Sequence, residues 1–117
     1  MEAKNIVNTL LVEANPANVR LITKVFDRFP VKHKFNVVKD YVTATDYLYK
    51  RRNFKEAETP DLIILNLNLS NKKGIEVIEA IDKDEKLRLI PLICLNNFPR
   101  WWIDVLNHSV LFKVLTD

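Results

Sequence analysis

The chain has 117 residues, of which 48% are apolar and 28% are charged, a composition typical of one globular domain rather than a disordered chain. The net charge of +3 comes from basic residues scattered in small groups, which favours a mixed, solvated surface over a nucleic-acid-binding face. The single glycine, Gly74, excludes Gly-rich phosphate-binding loops, and no apolar run is long enough to span a bilayer.

The N-terminal segment and the cysteine usage both bear on the compartment. The first residues, "MEAKNIVNTLLVE", carry no small-residue cleavage site and do not resemble a secretory signal. The single cysteine, Cys94, lies in the apolar run "PLICL" and cannot form an internal disulfide. We therefore expect a cytoplasmic protein in which this cysteine is a buried apolar residue.

The first half of the chain alternates strand-like and helix-like segments. "NTLLVEA" predicts a buried strand that ends near Glu13 and Ala14. "NPANVRLITKVFDRF" predicts a helix, because Asn15 can cap it and Pro16 suits its first position. Apolar residues recur in this helix at helical spacing: Val19, Ile22, Val25, Phe26 and Phe29. "KFNVVKD" predicts a second strand.

The remaining segments continue the alternation. "TATDYLYKRRNF" predicts a second helix, with an inner face formed by Tyr41, Ala44 and Leu48. After Pro60, the continuous apolar run "DLIILNLNL" predicts a central parallel strand. "KKGIEVIEAIDKD" predicts a third helix with an inward face of Ile75, Ile78 and Ile81. "IPLICLNN" predicts a fourth strand, "FPRWWIDVLNHS" a short fourth helix, and "VLFKVL" a fifth strand.

This order predicts an α/β fold, a doubly wound five-stranded parallel sheet in a single domain that spans residues 1–117. Functional sites in such sheets lie at the carboxyl ends of the strands. The residues at those ends are Glu13, Ala14, Asn66, Asn96, Asn97 and Lys113.

Two stretches resemble the receiver domain of two-component response regulators. These are "TLLVEANPANVRLI" and "PDLIILNLNLSNKKGIEVI", and the resemblance covers residues 6–95. The chain is most similar to the stand-alone type that pairs with phytochrome-like kinases. In active receivers, an acid pair after the first strand and an acceptor aspartate after the third strand together hold Mg²⁺, and the aspartate takes a phosphoryl group.

The family positions fall on altered residues here. The acid pair falls on Glu13 and Ala14, and the acceptor falls on Asn66. The residue whose backbone carbonyl binds the metal falls on Asn68. The Thr or Ser that binds the phosphoryl group falls on Asn96, and the lysine that neutralises charge falls on Lys113. The resemblance therefore implies a pocket that keeps one acid and one lysine, which we expect to form a residual ion pair.

Such a pocket lacks the groups that phosphoryl transfer requires. Mg²⁺ is usually held by one or two carboxylates together with phosphate oxygens, so its binding is predicted to be lost or weak and no cofactor is expected. Covalent catalysis through a side-chain carboxylate cannot use the amide of Asn66. Ala14 alone would be a tolerable change, and engineering remains an alternative to natural degeneracy. Asn96 and two further departures from the family, Val110 and Val114, favour degeneracy.

The segment after the fourth strand departs most from the family. It is shorter than usual, which predicts a shortened fourth helix. The sequence stops at Asp117, directly after the fifth strand, so no fifth helix is expected. One of its two tryptophans is expected to pack on the sheet and the other to anchor a partner, although both could belong to the core. The candidate interface consists of Trp101, Trp102, Val110, Phe112 and Val114.

The leading hypothesis is a non-enzymatic pseudo-receiver that acts through protein contacts independently of phosphorylation. Its expected partners are a sensor kinase, another regulator, or a second copy bound through the fourth helix and fifth strand; no membrane partner is expected. One alternative is a divergent receiver phosphorylated at another residue. The other is a nucleic-acid-binding regulator, which the dispersed charge disfavours.

Overall fold

A parallel β-sheet forms the centre of the protein in the computed structural model, which describes residues 6–66, 74–95 and 112–115. Its principal strands are β1 (Ile6–Val12), β2 (Lys32–Val38), β3 (Leu62–Asn66) and β4 (Leu92–Leu95). They lie side by side in the order β2-β1-β3-β4, with every pairing parallel. The chain therefore has the parallel α/β architecture that the alternating pattern predicts.

Three helices connect these strands, and two of them begin at clear capping residues. α1 (Pro16–Phe26) starts after Asn15, whose side chain accepts a 2.8 Å hydrogen bond from the backbone N–H of Ala17. α2 (Tyr41–Leu48) starts after Asp40, which accepts from the N–H of Thr43 at 2.7 Å. Each cap satisfies one of the donors that a helix start leaves unpaired. The third helix is α3 (Gly74–Lys83).

The sheet is buried on both faces, as a parallel sheet requires. Leu10 and Leu11 are adjacent in β1 and point to opposite faces, yet neither is exposed to solvent. A core cluster lies on the α2 and α3 side and includes Leu10, Val12, Tyr41, Ala44, Ile63, Leu65, Ile78 and Ile81. Cys94 belongs to this cluster, and burial raises the pKa of its thiol to about 12, so it behaves as the expected apolar residue.

Several predicted boundaries were wrong by a few residues. β1 begins earlier than expected and ends at Val12, and β2 begins at Lys32 because two further residues pair with β1. α2 begins two residues earlier, after Asp40, and ends at Leu48, because Lys50 and Arg52 adopt left-handed backbone angles that a helix cannot contain.

The inner face of α1 also differs from the prediction. Val25 and Phe29 are 45% and 50% exposed, Leu21 is 63% exposed, and α1 contains no fully buried residue. The helix ends at Phe26, so the chain turns before Phe29 can continue the predicted stripe.

The end of the chain is only partly described. The backbone of β5 (Phe112–Leu115) lies parallel to β4, with Phe112 opposite Leu92. The predicted fourth helix lies outside the described residues, so the complete five-stranded arrangement with a shortened fourth helix and no fifth helix stays a prediction. None of the helices in the described ranges has the length and apolar character that a membrane crossing requires.

Candidate functional site at the carboxyl end of the sheet

The register of the sheet brings two of the predicted site residues together. Val12 pairs with Leu65 across β1 and β3. The residues that follow them, Glu13 and Asn66, therefore lie at the same edge of the sheet. The backbone N–H of Glu13 also donates to the carbonyl of Val38 at 2.9 Å. The candidate site is thus fixed by three neighbouring strands, at the edge where α/β folds place their sites.

Glu13 and Asn66 are joined directly by their side chains. Nδ2 of Asn66 donates to Oε1 of Glu13 at 2.6 Å, in a buried position. The other carboxylate oxygen, Oε2, accepts from the backbone N–H of Asn15 at 3.0 Å. Glu13 is 3% exposed and Asn66 is 7% exposed. The buried carboxylate therefore has a neutral hydrogen-bond donor on each oxygen, as buried polar groups require.

Ala14 lies in the turn from β1 to α1, between Glu13 and Asn15, whose side chains both form hydrogen bonds. It is exposed, and its methyl group offers no metal ligand. On one side Glu13 closes the strand, and on the other Asn15 caps α1. The turn from β1 to α1 is therefore held on both sides of Ala14 by hydrogen bonds, while Ala14 itself contributes no carboxylate.

Tyr41 is a site residue that the sequence analysis assigned only to the core. Its hydroxyl donates to the backbone carbonyl of Asn66 at 2.7 Å, while its ring is 2% exposed. Asp40 positions this tyrosine by capping α2, and the N–H of Thr43 that it accepts holds the pKa of its carboxyl below the ordinary value of 3.8. The available signal was general: a buried tyrosine usually needs a hydrogen-bond partner for its hydroxyl.

The remaining predicted residues are described only in part or not at all. Asn68, Asn96, Trp101, Trp102 and Val110 lie outside the described residues. Lys113 is placed by its backbone in β5, opposite Ile93, together with Phe112 and Val114. The expected ion pair between Lys113 and Glu13 stays a prediction.

Asp61 lies at the opposite edge of the sheet from Asn66, just before β3 begins. Its Oδ2 accepts from the backbone N–H of Asn8 at 2.9 Å, and its own N–H donates to the Asn8 carbonyl at 2.7 Å. Asp61 precedes β3, whereas Asn66 ends it. It therefore cannot replace Asn66 as an acceptor at the carboxyl edge.

The groups that the structure describes at this edge match the needs of Mg²⁺ poorly. Mg²⁺ is bound in near-octahedral geometry by oxygen ligands, with carboxylates as its usual protein contacts. Among the described residues here, Glu13 supplies one carboxylate, and both of its oxygens accept hydrogen bonds. No cluster of three or more His, Cys, Asp or Glu residues in the described ranges could hold a metal ion.

Comparisons by sequence identify regulatory proteins as relatives. Response regulator Rcp1 of Synechocystis is 33% identical over 86 residues, which cover 74% of this chain and 58% of the relative. The probable methanogenesis regulatory protein FilR2 of Methanothrix harundinacea is 33% identical over 95 residues, which cover 81% of this chain. The chain matches only 61% of FilR2, so it spans about three fifths of these curated relatives. No family model matches the chain.

Comparisons by structure agree with those by sequence. The Mn²⁺-bound form of Rcp1 superposes with a TM-score of 0.83 at 27% identity, covering 94% of this chain and 80% of that one. The phosphorylated cyanobacterial phytochrome response regulator RcpA superposes with a TM-score of 0.79 at 32% identity, covering 92% and 79%. The chain therefore belongs to the receiver-domain family of response regulators, of the phytochrome-associated type, whose members are signalling proteins rather than enzymes.

Proposed function

We propose that this receiver domain signals through protein contacts independently of phosphorylation, as a pseudo-receiver. The observation that carries the proposal is the 2.6 Å hydrogen bond from Asn66 to Glu13. Asn66 occupies the position where the family places its acceptor aspartate. An amide has no carboxylate oxygen to attack a phosphoryl group, and here its nitrogen is engaged by the one remaining acid.

The same arrangement supports a loss of metal dependence. In an active receiver a divalent cation balances several carboxylates at this edge. Here the Asn66 amide and the Asn15 N–H supply the hydrogen bonds that the buried Glu13 carboxylate needs. A metal ion would have to displace these donors and would gain one carboxylate from the described residues of this edge, so its binding should be weak or absent.

We further propose that residues 1–117 form a single cytoplasmic domain with a five-stranded sheet. Its partner would be a sensor kinase, another regulator, or a second copy of the chain. The proposed interface combines the fourth-helix and fifth-strand residues Trp101, Trp102, Val110, Phe112 and Val114 with the exposed apolar residues of α1. The exposure of Leu21 and Val25 supports this, because neighbouring exposed apolar residues in soluble proteins often mark an interface.

The decisive experiment records ¹H–¹⁵N spectra of the labelled protein before and after addition of Mg²⁺ with acetyl phosphate, and with beryllofluoride. We expect no specific change at Glu13, Asn66 or Asn96, and no phosphorylated product in the intact mass. An active receiver treated in parallel should respond, which verifies the reagents. Specific shifts at these residues, or a phosphorylated mass, would overturn the proposal.

Nucleic-acid binding is a second candidate, and one structural observation favours it. Arg20 and Lys24 are exposed one turn apart on α1, and the exposed Arg28 lies two residues after the end of the helix. Such a row of cations could contact phosphates. Fluorescence anisotropy with labelled duplex DNA tests this candidate. Affinity that falls steeply as salt rises would support it, and no binding at low salt would exclude it.

A further inference from the structure

A pocket of about 300 Å³ opens at the other end of the sheet, away from Glu13 and Asn66. One wall comes from β1 and β2, where Asn8 pairs with Lys34 across the strands. The facing wall comes from the loop that follows the 3₁₀ turn at Arg52–Phe54. A volume of this size lies at the lower end for ligand sites, so it suits a small molecule rather than a macromolecule.

Three asparagines line this pocket: Asn8, Asn36 and Asn53. Asn8 is 7% exposed, and its Nδ2 donates to Oε2 of Glu58 at 2.6 Å. This bond joins the sheet wall to the loop wall and fixes the position of the Glu58 carboxylate. Side-chain amides supply both donors and acceptors, and can therefore orient a polar ligand of either charge.

Charged groups of opposite sign stand on the two walls. Lys34 belongs to the sheet wall, and Glu56 and Glu58 belong to the loop wall. Neither Lys34 nor Glu56 forms an ion pair or a side-chain hydrogen bond with any residue in the described ranges. Both charges are therefore available to a ligand that carries the complementary groups.

The apolar part of the lining is aromatic. The Tyr47 and Phe54 rings contact each other with centroids 5.3 Å apart, and Ala57 lies beside them. Burial, with a further contribution from the Glu58 charge, raises the pKa of Tyr47 above its ordinary value of 10.0, so its hydroxyl stays protonated at neutral pH. This part of the lining could hold a short apolar group while the charged ends are bound.

We propose that this pocket binds a free α-amino acid or a similar small zwitterion. Its carboxylate would pair with Lys34, its ammonium with Glu56 and Glu58, and its side chain would contact Tyr47 and Phe54. A simple anion would meet the two carboxylates, and a simple amine would leave the lysine without a partner. Only a ligand with both charges satisfies both walls, and this gives the site its selectivity.

The test uses the ¹⁵N-labelled full chain and titrates it with each of the common L-amino acids in turn. At least one amino acid should shift the side-chain amide signals of Asn8, Asn36 and Asn53. The methyl ester and the N-acetyl derivative of that amino acid should each bind at least about tenfold more weakly, because each lacks one charge. Absence of any shift, or equal binding of either derivative, would overturn the proposal.

Matched variants then locate the site. Lys34→Gln and Glu56→Gln should each weaken binding of the same amino acid by about tenfold or more. Lys39→Gln and Glu76→Gln, which change exposed residues outside the pocket, should leave it unchanged. Unchanged binding in both pocket variants would contradict the assignment. The comparison with the two derivatives uses the unmodified chain, so it decides the question even if a variant fails to fold.

Discussion

The side-chain amide of Asn66 donates a 2.6 Å hydrogen bond to the carboxylate of Glu13 across the ends of two adjacent strands. Under the proposed function, this contact would take the place of the charge balance that a receiver obtains from a metal ion. The neutral side chain of Asn66 should therefore contribute to the free energy of unfolding of the domain. Restoring the acid of the family should therefore be costly here.

Asn66→Asp should lower the free energy of unfolding by about 3 kcal/mol at neutral pH, because two carboxylates would share one buried site. Urea denaturation followed by circular dichroism measures the change. The cost should shrink as the pH falls, since one of the two carboxyl groups then takes up a proton. Asn18→Asp is the matched control, because a negative charge in the first turn of α1 is favourable. Equal stability of Asn66→Asp and the unmodified chain would contradict the buried contact.

Tyr41→Phe should reduce the free energy of unfolding by about 1 kcal/mol, because the buried carbonyl of Asn66 loses its 2.7 Å donor. The same denaturation experiment detects it. Tyr49→Phe, a change at an exposed tyrosine, should cost less than about 0.5 kcal/mol. If the two substitutions had the same effect, the hydroxyl of Tyr41 would not stabilise the site.

Asp40 should contribute to the free energy of unfolding, and this contribution should be lost at acid pH. Because the N–H of Thr43 lowers its folded pKa, this contribution is present above the ordinary value of 3.8 and is lost as the pH falls through the folded pKa. Asp40→Ala should cost about 1 kcal/mol at neutral pH and progressively less in acid. Asp40→Asn keeps the cap without a titrating group, so its free energy of unfolding should change less than that of the unmodified chain as the pH falls. Urea midpoints across this pH range test both variants, and parallel pH curves for all three proteins would refute the role.

Self-association is expected if the proposed interface pairs two copies. Light scattering should show a mass that rises with concentration, and Leu21→Lys should weaken the association by about tenfold. Leu89→Lys is the control, because Leu89 is 78% exposed and lies outside the proposed surface. A clean monomer at the highest concentration would count against this interface.

Much of the fold followed from local signals, and the deviations have local causes. Asn15 and Pro16 predicted the start of α1 correctly, because capping and proline geometry are decided within a few residues. Asp40 was assigned to a strand although it caps α2, since a capping aspartate resembles the polar end of a strand. Left-handed backbone angles at Lys50 and Arg52 end the predicted second helix early. Neither lysine nor arginine is typical of this conformation, so the sequence does not predict it.

The site was predictable as a location but not as a set of contacts. Strand order alone places Glu13 and Asn66 at one edge. Their hydrogen bond depends on register and side-chain rotamers, which no local pattern specifies. The hydroxyl of Tyr41 was missed for the same reason, because its partner is a backbone carbonyl on a distant strand.

The position of Asn8 has a consequence for protein engineering. Asn8 joins Asp61 and Glu58 at one end of β1, and Glu13 joins Asn66 at the other. Four residues lie between Asn8 and Glu13, and all four are buried. The five steps of extended strand from Asn8 to Glu13 span roughly 16 Å. Changes at sites this far apart usually contribute independently to stability. One end of β1 could therefore be redesigned as a sensor for small molecules while the other is rebuilt toward phosphate chemistry, and the stability costs should simply add.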